Sequence, residues 1–132
     1  MIARRAWYPA LLLLALVMVS AGTMHFVRPE PFVGIVPKIL PAPRMLVAVS
    51  GFFEIAGGIG LLVPKLRKPA AWGLIALFVA VFPANVNMAV NGLWFGDMPP
   101  NPAAAWGRLP FQALFIAWAW WFTRDAPGAA RA

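Results

Sequence analysis

The chain has 132 residues, of which 62% are hydrophobic and 11% are charged, and its formal net charge is +7. Soluble globular domains are about 45–50% apolar and about 25% charged, so this much apolar surface does not fit inside one small water-soluble core. The absence of cysteine excludes disulfide exchange, thiolate catalysis and iron–sulfur ligation, and the single histidine excludes a multi-histidine metal or haem site within the chain.

Four apolar segments are predicted to cross a membrane, because a spanning helix needs roughly 20 mostly apolar residues. Three reach that length easily, at about residues 6–24, 45–63 and 70–91. In the fourth, 102–123, Asn101 and Pro102 favour a start at Pro102 as N-cap and first-turn residues, with Pro110 then inside the helix; the alternative is a start at Pro110. The predicted fold is an all-α, four-transmembrane-helix bundle that forms a single domain over residues 1–132.

The distribution of basic residues predicts that both termini are cytoplasmic, in a multi-pass protein of the bacterial inner (plasma) membrane. Seven of the 11 Lys and Arg residues fall on one side of the four helices: Arg4, Arg5, Lys65, Arg67, Lys68, Arg124 and Arg131. The other side has Arg28, Lys38, Arg44 and Arg108, partly offset by Glu30 and Asp97. Because these residues lie in short gaps between apolar segments, nucleic-acid binding is not expected.

Aromatic residues are expected to anchor the helices at the two membrane boundaries. They are Trp7, Tyr8, Trp72, Trp120 and Trp121 at the cytoplasmic boundary, and Trp94 and Trp106 at the outer one. The first helix also resembles a signal peptide, because Arg4 and Arg5 precede it and small residues follow its apolar stretch. We expect the first helix to be retained rather than cleaved, since the later spans already require insertion into a membrane.

The predicted outer loop, residues 25–44, contains five prolines that prevent a regular helix through most of its length. Its apolar segment 32–36 is unlikely to be stable in water. The loop is therefore predicted to lie at the outer interface or to fold over the bundle as a lid.

Glu54 is an acid near the middle of the second predicted helix, where insertion costs about 2.5–3.5 kcal/mol. It either remains protonated or pairs with a cation or several donors. A structural acid that joins helices is one interpretation, and a ligand or proton site is the favoured one. Around it, small residues are predicted to serve helix packing or self-association: Ser50, Gly51, Gly57 and Gly58.

The third predicted helix carries Pro83 and three asparagines in its outer half. Pro83 frees a carbonyl on the previous turn, and Asn85 is predicted to satisfy it. Asn87 and Asn91 share another face of the helix, and contacts between helices explain these amides as well as a ligand does.

Polar side chains from all four predicted helices converge on the outer half of the bundle. This predicted ligand-binding cluster consists of His25, Glu54, Asn85, Arg108 and Gln112. A few polar groups with an apolar surround are typical of small-ligand sites.

The same residues carry a resemblance to a known family. The motifs are Ala21-Gly22-Thr23-Met24-His25-Phe26, Ser50-Gly51 with Glu54, Pro83-Ala84-Asn85 and Arg108-Leu109-Pro110-Phe111-Gln112. With them the chain resembles the DoxX-like family of small four-helix bacterial membrane proteins. The resemblance implies a four-helix membrane domain and no single activity, since relatives are connected with quinone-linked sulfur oxidation, maturation of periplasmic redox enzymes and assembly of membrane proteins. The cysteine pair used by some relatives is absent here.

The favoured function is that of an accessory or binding protein whose outward-facing polar pocket takes a hydrophobic ligand or a membrane partner. The alternative is a quinone-interacting subunit of a membrane oxidoreductase, to which a redox partner supplies the electron carrier. No catalytic motif or encoded cofactor is recognised, so an enzyme is not favoured, and quinone or lipid is the expected small molecule. Proton-coupled transport is disfavoured, because the inner halves of the helices are almost purely apolar.

Overall fold

The computed structural model describes residues 2–94 and 98–129, and this part of the chain is all-helical, without a strand. The elements in chain order are α1 (Ile2–Val27), α2 (Glu30–Val33), α3 (Pro43–Leu62), α4 (Arg67–Val90) and α5 (Pro102–Trp121). Asp97 and Arg131, which entered the charge count, lie outside the described residues.

Three helices are long and apolar enough to cross a membrane: Arg4–Val27, Pro43–Leu62 and Arg67–Val90. Large apolar side chains on all three are exposed, among them Leu16, Phe52 and Val79, as expected of surfaces that face lipid. These helices indicate a membrane protein. With 20 residues, α5 is about 30 Å long, but its tryptophans and the polar Arg108 and Gln112 lower its hydropathy.

The start of α5 lies at Pro102 rather than at Pro110. The side chain of Asn101 accepts a hydrogen bond from the backbone N–H of Ala104 at 3.1 Å, which satisfies one of the donors that a helix leaves unpaired in its first turn. Pro110 therefore lies inside α5, as Pro83 does inside α4.

The four long helices pack in chain order, α1 on α3, α3 on α4 and α4 on α5, and successive helices run antiparallel. Two ends of the molecule are distinguished below. The terminal end holds the start of α1, the α3–α4 turn and the end of α5; the loop end holds the end of α1, the starts of α3 and α5 and the end of α4. α1 also meets the end of α5 at the terminal end, where the Trp7 and Phe122 rings pack edge to face, 5.3 Å between centroids.

Glycines bring α1 and α3 into backbone contact. A Cβ atom built on Gly22 would lie 2.6 Å from the carbonyl oxygen of Gly51, and one built on Gly58 would lie 2.9 Å from that of Ala15. Small residues at a helix interface allow such close approach in membranes. Gly57 instead packs against Leu74 of α4, and Ser50, which was predicted to pack between helices, lines a cavity described below.

The terminal half of the molecule is filled by apolar side chains from all four long helices. This core contains Trp7, Leu11, Leu14, Ala15, Met18, Leu61, Ala71, Leu74, Phe78, Ala119 and Phe122. Trp7 was predicted to be an interfacial anchor, and this was wrong: its side chain is 1% exposed and packs under the Arg67 guanidinium, whose carbon is 5.1 Å from the ring centroid. The predicted spans begin and end within a few residues of the observed helices, except that α1 extends to Ile2 and Val27.

Candidate functional site

A cavity of about 430 Å³ lies in the loop half of the molecule, between the four long helices and under the loop that follows α1. Its walls are mostly apolar, from side chains such as Met18, Val47, Leu77, Phe78 and Phe115. The structure places all five residues of the predicted polar cluster in this lining: His25, Glu54, Asn85, Arg108 and Gln112. The cavity has the size and the mixed lining of small-molecule sites, which occupy about 300–1,000 Å³.

His25 and Glu54 form a pair across the α1–α3 contact. Nδ1 of His25 lies 3.0 Å from Oε2 of Glu54, and both side chains are mostly buried. The same nitrogen is 2.8 Å from the backbone oxygen of Ala21, so it is placed to donate its hydrogen there. The imidazole is a charge partner for Glu54 only when it is protonated, and Oε2 of Glu54 accepts no hydrogen bond from the described residues. Gly22 and Gly51 make this pairing possible by bringing the two helices together one turn away.

Asn85 and Gln112 join α4 to α5 at the opposite wall. Nδ2 of Asn85 donates to Oε1 of Gln112 at 2.8 Å, and Nε2 of Gln112 donates to the backbone oxygen of Phe78. Both amides are buried. The prediction assigned the carbonyl freed by Pro83 to Asn85. In the structure Asn85 donates to Gln112 instead, and Gln112 donates to the carbonyl of Phe78, five residues before Pro83.

Arg108 lies one turn before Gln112 on α5 and half-buried at the cavity wall. The i, i+4 spacing puts both side chains on one face of the helix. The cavity is therefore lined by a guanidinium, an imidazole, a carboxyl group and two amides, which can donate and accept hydrogen bonds but do not form a metal-binding group in the described part of the chain.

The loop after α1 covers the loop end of the cavity, in agreement with the predicted lid. The ring of Phe32, in the short helix α2, stacks on His25 with 4.0 Å between centroids. Val36, Pro37 and Leu40 also line the cavity. Ile35 is buried between α4 and α5 in a second cluster with Met88, Ala89 and Ala105.

Asn87 fastens this lid to α4. Its Nδ2 donates to the backbone oxygen of Ile35 at 2.9 Å, and its Oδ1 accepts from Nδ2 of Asn91 at 2.6 Å. Among the described residues, the contacts that hold the lid include the stacked ring of Phe32, the buried side chain of Ile35 and the amide hydrogen bond of Asn87.

Replacement of Asn87 by leucine is expected to loosen the lid. Loss of the bond to Ile35 removes about 1 kcal/mol, which raises amide hydrogen exchange about fivefold in peptides from residues 29–42. Exchange measured by mass spectrometry tests this, with Asn91→Leu as the control, because the side-chain hydrogen bond of Asn91 goes to Asn87 and not to the loop. Equal exchange in Asn87→Leu and the unmodified protein would contradict an anchoring role.

Comparison with known protein families assigns the chain to one of them. The model of a domain of unknown function, DUF8561, matches residues 14–123. This chain belongs to the DUF8561 family. No curated protein and no solved structure matches it.

The matched part of the DUF8561 chain includes every side chain of the polar cluster and the whole lid. Its first matched residue, Leu14, lies in the core of the terminal half. The family assignment therefore covers both the packed core and the cavity.

The sequence did not predict the positions of three residues in the site of this DUF8561 protein. Phe32 was recognised as part of an apolar segment, yet nothing in a proline-rich loop predicts which ring stacks on His25. Ser50 was interpreted as a packing residue, and Asn87 was assigned only to a helix face. For Asn87, one signal was available: an amide near a helix end, opposite a loop rich in prolines, is suited to bind a free backbone carbonyl.

Proposed function

We propose that this DUF8561 protein is an integral membrane binding or accessory protein of the bacterial inner membrane, whose cavity holds a hydrophobic ligand or part of a membrane partner. The proposal includes a four-transmembrane-helix bundle in which α5 is the fourth span and both termini are cytoplasmic. The observation that carries it is the convergence of five polar side chains from four helices on one apolar-walled cavity of about 430 Å³. The DoxX-like resemblance also stays a proposal, and it agrees with such a bundle.

The division of the molecule supports a binding role. The terminal half is packed, whereas the loop half combines open volume with buried polar groups that lipid makes costly. Residues needed only for helix contacts would be expected to fill this space. The basic side chains at the terminal end, such as Arg5, Lys65 and Arg124, support placing that end in the cytoplasm.

The test is native mass spectrometry of the protein extracted from its own membrane. Glu54→Gln and Arg108→Ala are expected to lower the occupancy of a copurifying ligand or partner about tenfold each, since a hydrogen bond to a charged group contributes about 1.5–3 kcal/mol. Both variants should still insert and remain folded.

Matched controls are Glu30→Gln and Arg44→Ala, whose side chains are exposed and lie outside the cavity lining. They should retain the bound mass. If the occupancy of the copurifying ligand or partner is unchanged in both Glu54→Gln and Arg108→Ala, the proposal is wrong.

A quinone-interacting subunit is the second candidate. The His25–Glu54 pair, 3.0 Å apart at the cavity wall, favours it, because imidazole and carboxyl groups exchange the protons that accompany quinone reduction. A redox partner would have to supply the electrons. A bound quinone mass that is lost in Glu54→Gln supports this candidate, and bound species without a quinone contradict it.

A further inference from the structure

The contact between α3 and α4 is tight at the terminal end. There, a Cβ atom on Gly60 would lie 2.8 Å from Cβ of Ala70, and Gly57 packs on Leu74. Toward the loop end the cavity itself lies between the two helices: it is lined by Val49 of α3 and by Ala80 of α4. Part of the cavity therefore lies between α3 and α4 in the loop half.

The rim of this space is apolar and open to the outside. Several lining side chains are also exposed, which places them at an opening: Leu46 is 40% exposed and Val49 46% exposed, and Ala80 and Pro83 are exposed as well. The amides of Asn85 and Gln112, which also line the cavity, are buried. In the proposed membrane bundle the two helices that form this rim span the bilayer, so the opening between them would face lipid hydrocarbon rather than water.

The loop end offers a poorer entrance. It is covered by the lid, with Ile35 buried in a cluster between α4 and α5, and Asn87 bonded to its backbone. A ligand entering there would have to break these contacts, whereas entry between α3 and α4 requires none of them to change.

The hydrogen bonds that the polar side chains already make limit which polar group a ligand can place in the cavity. Gln112 already accepts from Asn85 and donates to Phe78, and Nδ1 of His25 is placed to donate to Ala21. Glu54 lines the cavity, and Oε2 of its carboxyl group accepts no hydrogen bond from the described residues. The group that complements it is a donor, such as an O–H or N–H.

The charges of Glu54 and Arg108 also limit which ligand heads the cavity can bind. A carboxylate or phosphate head would lie against the Glu54 carboxyl group, and an ammonium head would share the cavity with the Arg108 guanidinium. In apolar surroundings such like-charge contacts are costly. An uncharged hydroxyl avoids both, and it can also accept from a guanidinium.

We infer that the cavity takes an uncharged amphiphile with a hydroxyl head, which enters sideways from the lipid between α3 and α4 and places its hydroxyl on Glu54. The apolar tail extends past Val49 and Ala80 toward the bilayer. This inference rests on the proposed binding function and adds to it a ligand class and a route.

The test uses a diazirine-bearing long-chain alcohol as a photoreactive probe, on the full chain in proteoliposomes. The matched fatty acid with the same diazirine is the comparison probe. The alcohol is expected to label cavity residues about tenfold more than the acid, and Glu54→Leu should remove most of that difference. Labelled residues are read by peptide mass spectrometry.

The route is tested by filling the opening. Ala80→Trp is expected to lower labelling by the alcohol about fivefold, while Ala76→Trp, one turn away, exposed and outside the lining, should leave it within about twofold. Thermal unfolding establishes that both variants fold.

A second measurement covers the case in which Ala80→Trp does not fold. The chain lacks cysteine, so a nitroxide can be attached at a single introduced cysteine, Val49→Cys or Ala80→Cys. Both sites should be accessible to molecular oxygen, which dissolves in lipid, and protected from a water-soluble nickel chelate. Preferential access of the chelate overturns the lateral route.

The outcomes separate this inference from the proposed function. Equal labelling by alcohol and acid overturns the hydroxyl assignment and leaves a binding protein. Full labelling of a folded Ala80→Trp overturns the route alone. If neither probe labels the cavity and no copurifying ligand or partner is found by native mass spectrometry, both the inference and the proposed function fail.

Discussion

Gly22→Leu is expected to separate α1 from α3 and to lower the stability of the protein severely. Even a Cβ atom at this position would lie 2.6 Å from the carbonyl oxygen of Gly51 and 2.7 Å from Cγ1 of Ile55. The obstacle is partly backbone, which cannot change rotamer to make room. Overpacking typically costs about 1–3 kcal/mol, and a bulky side chain between two backbones belongs at the upper end of that range or beyond it.

The measurement is thermal unfolding in detergent, followed by circular dichroism, together with size-exclusion chromatography. Gly22→Ala should already lower the midpoint, and Gly51→Ala should do the same, because its Cβ would lie 2.6 Å from Cβ of His25. The matched control is Gly73→Ala, a helical position where an added Cβ meets no atom within 4 Å. That change is expected to be neutral or to stabilise by about 0.5–1 kcal/mol, because alanine loses less entropy in a helix. If Gly22→Ala and Gly73→Ala unfold at the same temperature, the close helix contact is wrong.

The second large effect is expected for Gln112→Leu. This change deletes two hydrogen bonds and leaves the buried amide of Asn85 without its acceptor. Hydrogen bonds between membrane helices contribute about 0.6 kcal/mol on average and at most about 1.7, and a stranded buried amide adds about 1–3. A loss of about 2 kcal/mol follows, measurable as a shift of the unfolding curve in mixed micelles with increasing dodecyl sulfate.

A double-mutant cycle distinguishes the hydrogen bond from a change in packing. In the pair Asn85→Leu with Gln112→Leu no amide remains stranded, so the double variant should lose less stability than the sum of the single ones, by about 1 kcal/mol. Asn91→Leu, which replaces an exposed amide directly after α4, should change stability by no more than about 0.5 kcal/mol. Additive losses would show that Asn85 and Gln112 act independently.

Much of this architecture follows from patterns along the chain. Apolar segments of sufficient length predicted the three spans, and the Asn101-Pro102 pair predicted where α5 begins. The convergence of Glu54 with Arg108 and Gln112 could also be expected, because Glu54 and Gln112 lie near the middle of long helices, Arg108 lies one turn before Gln112, and lipid disfavours their exposure.

Other features depend on tertiary contacts that the pattern of apolar residues along the sequence does not predict. Trp7 and Trp120 both lie near a helix end, yet Trp7 is buried and Trp120 stacks with Arg124 at the surface, 4.0 Å from its guanidinium carbon. The sequence also does not predict that Gly22 packs against Gly51, since several glycines in the chain permit close packing. The path of the lid depends on Ile35 finding a site between α4 and α5, and a short proline-rich segment carries no periodic signal for that.

The contrast between the packed terminal half and the open loop half also gives the molecule two ends of unequal stiffness. At the terminal end, only four residues separate Leu62 from Arg67, and the core beneath them is filled. At the loop end, α1 and α3 are joined by the longer connection 28–42, which contains α2. Occupancy of the cavity can therefore alter the spacing of helix ends there while the opposite end stays fixed. A membrane partner bound at the loop end would distinguish the filled protein from the empty one, and a partner bound at the terminal end would not.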